Sequence, residues 1–148
     1  MQTLGKWMMA AAVSGTLALA AGCSTSGTGG TGGTAAAPSS TALAGTSWQL
    51  AELGGQPAGK QSLTFDASKG MVSGSGGCNN FNGAYQWSGK SLKMGPLAST
   101  RRACAEESAS RQETAYLQAL DATRTWKVEG NTLILSGDSG PLARFTAQ

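Results

Sequence analysis

The sequence contains no histidine, which removes the commonest general base and the commonest metal ligand from any mechanism. Charge is scarce as well. Asp, Glu, Lys and Arg make up 13% of the 148 residues and leave a net charge of +3, too mild for an electrostatic footprint on nucleic acid. The carboxylates Glu52, Asp66, Glu129 and Asp138 are scattered, with no acid–base pair in view. No Cys-x-x-Cys supports oxidoreductase chemistry. Gly74, Gly76 and Gly77 lack the following lysine and helix start of a phosphate-binding loop. The expectation is a chain that is not an enzyme and holds no metal or cofactor.

Three cysteines are present, and the first ends an apolar stretch. Lys6 gives a short positive segment, and Met8 to Ala20 is apolar and uncharged. That run is too short for a bilayer, which needs about 20 apolar residues. Residues 1–22 therefore read as a targeting segment. The sequence Leu19-Ala20-Ala21-Gly22-Cys23 resembles the lipobox of bacterial lipoproteins, with Ala20 where leucine is commonest. The resemblance implies cleavage before Cys23 and acylation of its thiol and new amino group. Two or three acyl chains hold a protein stably on a membrane, at about 0.8 kcal/mol per buried methylene. The residue that follows is Ser24, not aspartate. By resemblance to enterobacterial sorting, this implies the outer membrane, facing the periplasm. An ordinary secretory signal cut near Ala21 is the other reading.

Ser24 to Ala42 is rich in Ser, Thr and Gly, with nothing apolar enough to offset the entropy of ordering it. Residues 23–42 are expected to form a lipidated flexible tether with an r.m.s. span of roughly 24 Å. Composition changes at Leu43, and residues 43–148 read as one domain that is most simply a monomer. Short alternating runs lie between turn residues: Trp48 and Leu50, Leu63 and Phe65, Tyr85 and Trp87, Leu92 and Met94, Trp126 and Val128. Leu142 and Phe145 are three apart, so the last strand is expected to bulge or start late. Only Glu106 to Leu120 breaks the period of two, with Ala109, Tyr116, Ala119 and Leu120 near helical spacing and two glutamates at its start. The fold expected is mainly β (α+β): a small curled β-barrel of about eight antiparallel strands with one helix packed on it.

The central stretch is Gly74 to Tyr85, which holds glycines 74, 76, 77 and 83, asparagines 79, 80 and 82, and Cys78. Asn82-Gly83 is a favoured hairpin dipeptide, so a tight turn is expected there in preference to a binding loop. Trp48, Trp87 and Trp126 fall at strand positions and are expected in the core. Cys78 and Cys104 would both lie in an oxidising compartment, where two cysteines of one small domain usually pair. Two separately buried thiols, or a reactive thiolate at Cys104 beside Arg101 and Arg102, are the other readings.

These residues resemble the META domain family, which includes HslJ-like heat-shock lipoproteins. The resemblance starts with Leu43, Gly45, Thr46, Trp48 and Leu50, and continues through Leu63, Thr64 and Phe65. Gly74, Gly77, Cys78, Asn79, Phe81, Gly83 and Tyr85 follow, then Leu92, then Thr100, Arg101, Ala103 and Cys104. Tyr116, Leu120, Leu133 and Leu135 complete it, and Arg102 stands where methionine is expected. It implies a small β-barrel with a packed helix, no catalytic residues, and an association with heat and antibiotic response. The function expected is that of a non-catalytic envelope lipoprotein that supports stress tolerance by binding an envelope protein or ligand. The alternative is a periplasmic inhibitor of the lysozyme-inhibitor type, presenting Ser73-Gly74-Ser75-Gly76 as its loop.

Overall fold

A computed structural model describes residues 42–148. The expectations for the targeting segment, the tether and Cys23 lie outside these residues. Nine strands and one helix follow in order: β1 (Ser47–Leu53), β2 (Gln56–Pro57), β3 (Ser62–Asp66), β4 (Met71–Ser75), β5 (Asn80–Ser88), β6 (Ser91–Ser99), α1 (Glu107–Asp121), β7 (Thr125–Glu129), β8 (Thr132–Gly137) and β9 (Gly140–Ala147). All pairings are antiparallel. The sheet order is β2-β1-β3-β4-β5-β6-β7-β8-β9, and β1 also pairs with β9. The ends of the order therefore meet, and eight strands run in a ring with β2 as a two-residue stub. The mainly β, curled fold expected from the alternation is present, with one strand more than the sequence suggested.

Alternation explains the core. Phe81, Gly83 and Tyr85 of β5 point inward, as do Leu63 and Phe65 of β3 and Leu133 and Leu135 of β8. They meet Trp48, Leu92, Met94, Trp126 and Phe145 in one cluster. Each fully buried side chain of this size contributes about 1.5–3 kcal/mol. Leu43 already belongs to that cluster, and Gly45 donates its N–H to the Phe65 carbonyl at 2.7 Å. The described residues thus share one core, and β1 is paired on both sides. The last strand bulges as expected: the register shifts where Leu135 pairs Ala143 and Ser136 pairs Pro141, which leaves Leu142 as the extra residue.

The helix starts one residue later than the sequence suggested. Glu106 is its extended N-cap and Glu107 its first residue. Its buried face is Glu113, Tyr116 and Leu120, spaced at i, i+3 and i+7. Tyr116 meets Phe81 edge to face at 5.8 Å, lies 6.2 Å from Phe145, and donates its hydroxyl to the Ser62 carbonyl at 3.0 Å. The helix is therefore pinned to β3, β5 and β9 by one side chain. Burial pushes the Tyr116 hydroxyl far above its ordinary pKa, so it acts as a fixed donor.

Two expectations fail. Asn82-Gly83 is not a turn but lies in the middle of β5, opposite Ala98 and Leu97 of β6. A Cβ on Gly83 would come within 2.7 Å of Leu97 Cδ2 and 2.8 Å of the Pro96 carbonyl oxygen. The glycine thus answers close packing across the strands, not a positive φ. Trp87 also departs from the core expectation. Trp48 and Trp126 are buried, whereas Trp87 is 40% exposed.

Candidate functional site

The cysteine motifs converge on a polar knot between the β4–β5 loop, the segment after β6, and the helix. Gly77 turns the loop with a φ of +104°, a conformation glycine adopts without a steric penalty. Gly76 lets the helix approach, because a Cβ there would lie 2.6 Å from Glu113 Cγ. The Glu113 carboxylate then reaches into the loop. Its Oε2 accepts the backbone N–H of Cys78 at 3.0 Å and of Asn79 at 2.6 Å. Its Oε1 accepts Asn79 Nδ2 at 2.7 Å. Asn79 carries the knot onward: Nδ2 also donates to the Arg102 carbonyl at 3.2 Å, while Oδ1 accepts the Thr100 hydroxyl at 2.9 Å and the Arg102 N–H at 2.7 Å. Thr100 and Asn80 exchange two further bonds, Thr100 N–H to the Asn80 carbonyl at 3.0 Å and Asn80 N–H to Thr100 Oγ1 at 3.2 Å.

A disulfide joins Cys78 to Cys104 beside this knot, with Cα atoms 5.7 Å apart. That separation is ordinary for a disulfide, and of the three readings left open by the sequence it is the bridge that forms. It excludes both the separate thiols and the Cys104 thiolate.

Glu113 is only 8% exposed. Burial, the largest single influence, would raise its pKa, but the bonds from Asn79 and Cys78 together outweigh it and hold the carboxyl below the ordinary glutamate range. The knot is therefore an anion with three donors and an amide with every polar hydrogen and its oxygen engaged. Such an arrangement cross-links three segments and keeps little acceptor capacity for a substrate.

The structure thus brings together Cys78, Asn79, Thr100 and Cys104. Phe81 sits in the core under the helix, Gly83 lies beneath Leu97, and Gly77 faces Gln61. Arg101 is exposed and makes no hydrogen bond to a described residue. Arg102, in the methionine position, is exposed too and enters the knot through its backbone alone. The sequence reading missed Glu113. Its signal was there: a carboxylate in phase with Tyr116 and Leu120 on the apolar side of a helix needs partners inside. Ser73 to Ser75 lie in β4, between β3 and β5. A Cβ on Gly74 would lie 2.0 Å from the Ser62 carbonyl oxygen. Three of the four residues considered for an inhibitory loop are therefore strand, closed in from both sides, and Gly76 follows the strand against Glu113.

Among the described residues, no group of three Cys, Asp or Glu side chains converges as a metal site would, and no helix is long and apolar enough to cross a membrane. A groove of about 430 Å³ runs between the helix and the β1–β2 hairpin, floored by Leu53, Pro57, Ala115, Ala119 and Leu142.

Among solved structures, the chain is similar to a protein from Burkholderia xenovorans determined by NMR. The two are 27% identical, the match covers 82% of this chain and 98% of that one, and the TM-score is 0.58. A second NMR structure is 24% identical over 70% of this chain and 90% of its own, also with a TM-score of 0.58. A DUF4847 family protein from Bacteroides vulgatus is 14% identical over 70% of this chain and 93% of that one, with a TM-score of 0.52. The last two likenesses concern the fold alone. No curated protein matches the chain. The META domain matches residues 41–148, which takes in β1 to β9, the polar knot and both bridged cysteines. The chain belongs to the META domain family.

Proposed function

We propose that this is a lipid-anchored envelope protein, held by acyl chains on Cys23 at the periplasmic face of the outer membrane. Its META domain is a non-catalytic binding module for an envelope component and supports tolerance of stress or antibiotics. The observation that supports a non-catalytic role is the engagement of the motif residue Asn79, and of its partner Glu113, within the fold. The polar atoms of Asn79 and Glu113 are engaged with the fold itself. The motif therefore serves to hold the scaffold, and recognition falls to the surface. The anchoring half rests on the apolar run that ends in Ala21-Gly22-Cys23 and on the Ser/Thr/Gly-rich stretch behind it. The test is metabolic labelling with an alkyne fatty acid, followed by membrane fractionation. The native chain takes up label and sediments with membranes, and Cys23→Ala does neither. A Cys23→Ala protein that is still cut after Gly22 and stays on the membrane overturns the reading.

A further inference from the structure

Trp87 stands in phase with the inward positions Phe81, Gly83 and Tyr85 of β5, yet it is the one large apolar side chain exposed among the described residues. The strand outruns the core there, so the indole stands at the rim of the ring beside the β5–β6 turn. It meets Trp126 edge to face, with centroids 5.9 Å apart and planes at 86°. Trp126 is buried and donates its indole N–H to the Gly89 carbonyl at 3.1 Å, which makes it a fixed backing for Trp87. Trp87 lines two open surface grooves. One, of about 460 Å³, is lined by Lys90, Trp126 and Val128. The other, of about 620 Å³, is lined by Gln86, Ser91, Lys93 and Arg124, where β6 and β7 diverge with Ser91–Thr125 as their single paired position. Both fall in the roughly 300–1,000 Å³ range of ligand sites.

The charge around the indole is one-sided. Lys90, Lys93, Arg124 and Lys127 line the two cavities, and the one carboxylate among their lining residues, Glu129, is bonded to Lys127 at 2.8 Å. Gln86, Ser88, Ser91 and Thr125 add amide and hydroxyl groups to the lining of the second groove. We propose that this rim binds an anionic oligosaccharide, with a sugar ring stacked on Trp87 and carboxylate or phosphate groups held by Lys90, Lys93 and Arg124. The apolar face of a sugar ring lies flat on an indole, and its hydroxyls take up hydrogen bonds from short polar side chains. Cations spaced along two grooves that share Trp87 suit a polymer with charge on successive units. A membrane surface fits less well, since interfacial anchoring uses several exposed apolar side chains and Trp87 stands alone. An acidic peptide would meet the cations, but its carboxylate side chains carry no flat apolar face to lie on the indole.

The proposal rests on the reading of the chain as a binding module and names its ligand class. The purified chain from Ser24 to Gln148, which contains the whole described core and carries no lipid, is titrated with hexagalacturonate. Maltohexaose, poly-L-glutamate and phosphatidylglycerol vesicles are the comparison arms, with tryptophan emission and calorimetry as readouts. Hexagalacturonate shifts the emission and binds more tightly than the other three, and added salt weakens it. Trp87→Ala and the double variant Lys90→Gln/Lys93→Gln each weaken binding about tenfold or more, or roughly 1.4 kcal/mol, at unchanged melting temperature. The double variant decides the matter should Trp87→Ala fold poorly. Absent hexagalacturonate binding, equal binding of poly-L-glutamate, a preference for vesicles, or variants that bind like the native chain overturn the proposal. Failure here leaves the labelling result for Cys23 untouched, and failure of labelling leaves this titration untouched.

Discussion

Replacing Glu113 by glutamine keeps the shape of the side chain and exchanges one carboxylate oxygen for an amide nitrogen. The two backbone donors of Cys78 and Asn79 claim the remaining oxygen. The new amide group then faces Asn79 Nδ2, donor against donor, across what was a 2.7 Å bond. Asn79 cannot relieve this by rotating, because its Oδ1 accepts from Thr100 and Arg102 on the other side. The loss is one hydrogen bond to a charged group, about 1.5–3 kcal/mol, plus a stranded buried donor at about 1–3 kcal/mol. The two overlap, so the expected destabilisation is roughly 2–5 kcal/mol, or about 10–20 °C in melting temperature for a domain of this size. The pH dependence carries the sharper signature. The native carboxyl titrates below the usual glutamate value of 4.5. Its contribution is therefore complete above that value and is lost as pH falls through the lower native one. Glutamine does not titrate, so the gap between native chain and variant is widest near neutral pH and narrows below about pH 4.5. Asp66, held low mainly by its bond from Ser68, and Glu129, held low mainly by Lys127, titrate alike in both proteins and cancel. Urea melts followed by tryptophan emission at a series of pH values give the numbers. A variant as stable as the native chain at pH 7, or a gap that stays constant in acid, refutes the reasoning.

Gly74→Ala is expected to prevent folding, since the new Cβ meets backbone at Ser62, whereas Gly59→Ala meets nothing within 4 Å and leaves the melting temperature within a few degrees; circular dichroism of the two checks the contrast. Cys78→Ala opens a bridge spanning 26 positions and should cost about 2–5 kcal/mol in chemical denaturation. Thiol counting on the unreduced native chain under denaturant should find neither Cys78 nor Cys104 free. Removing residues 24–40 should leave the melting temperature unchanged, because the core of the described residues already includes Leu43 and β1 is paired on both sides. A large drop in calorimetry would show that the removed segment packs on the domain.

Most of the sheet was legible because strand alternation is written in single residues: Leu63 and Phe65, or Leu92 and Met94, cannot both face water cheaply. The helix was legible for the same reason, to within one residue at its start. Asn82-Gly83 was misread because its turn preference is local, while the close approach of Leu97 and Pro96 that actually demands a glycine is a cross-strand fact. Trp87 was misread because periodicity gives the face of a strand but not where the core ends along it. Glu113 was missed because its partners lie 34 and 35 positions away in sequence, and a single glutamate among exposed ones carries no label of burial. The β2 stub pairs over only two positions, too few to show a period.

The central claim is that Asn79 of the family motif and Glu113 together cross-link loop and helix, leaving recognition to the surface. A double-mutant cycle of Asn79→Ala and Glu113→Gln on folding stability tests it most directly. The two residues share one side-chain bond and one backbone contact, so their losses should couple by more than about 1 kcal/mol. At the same time hexagalacturonate binding by the folded fraction should stay as it was. Losses that simply add, within about 0.5 kcal/mol, would contradict the account.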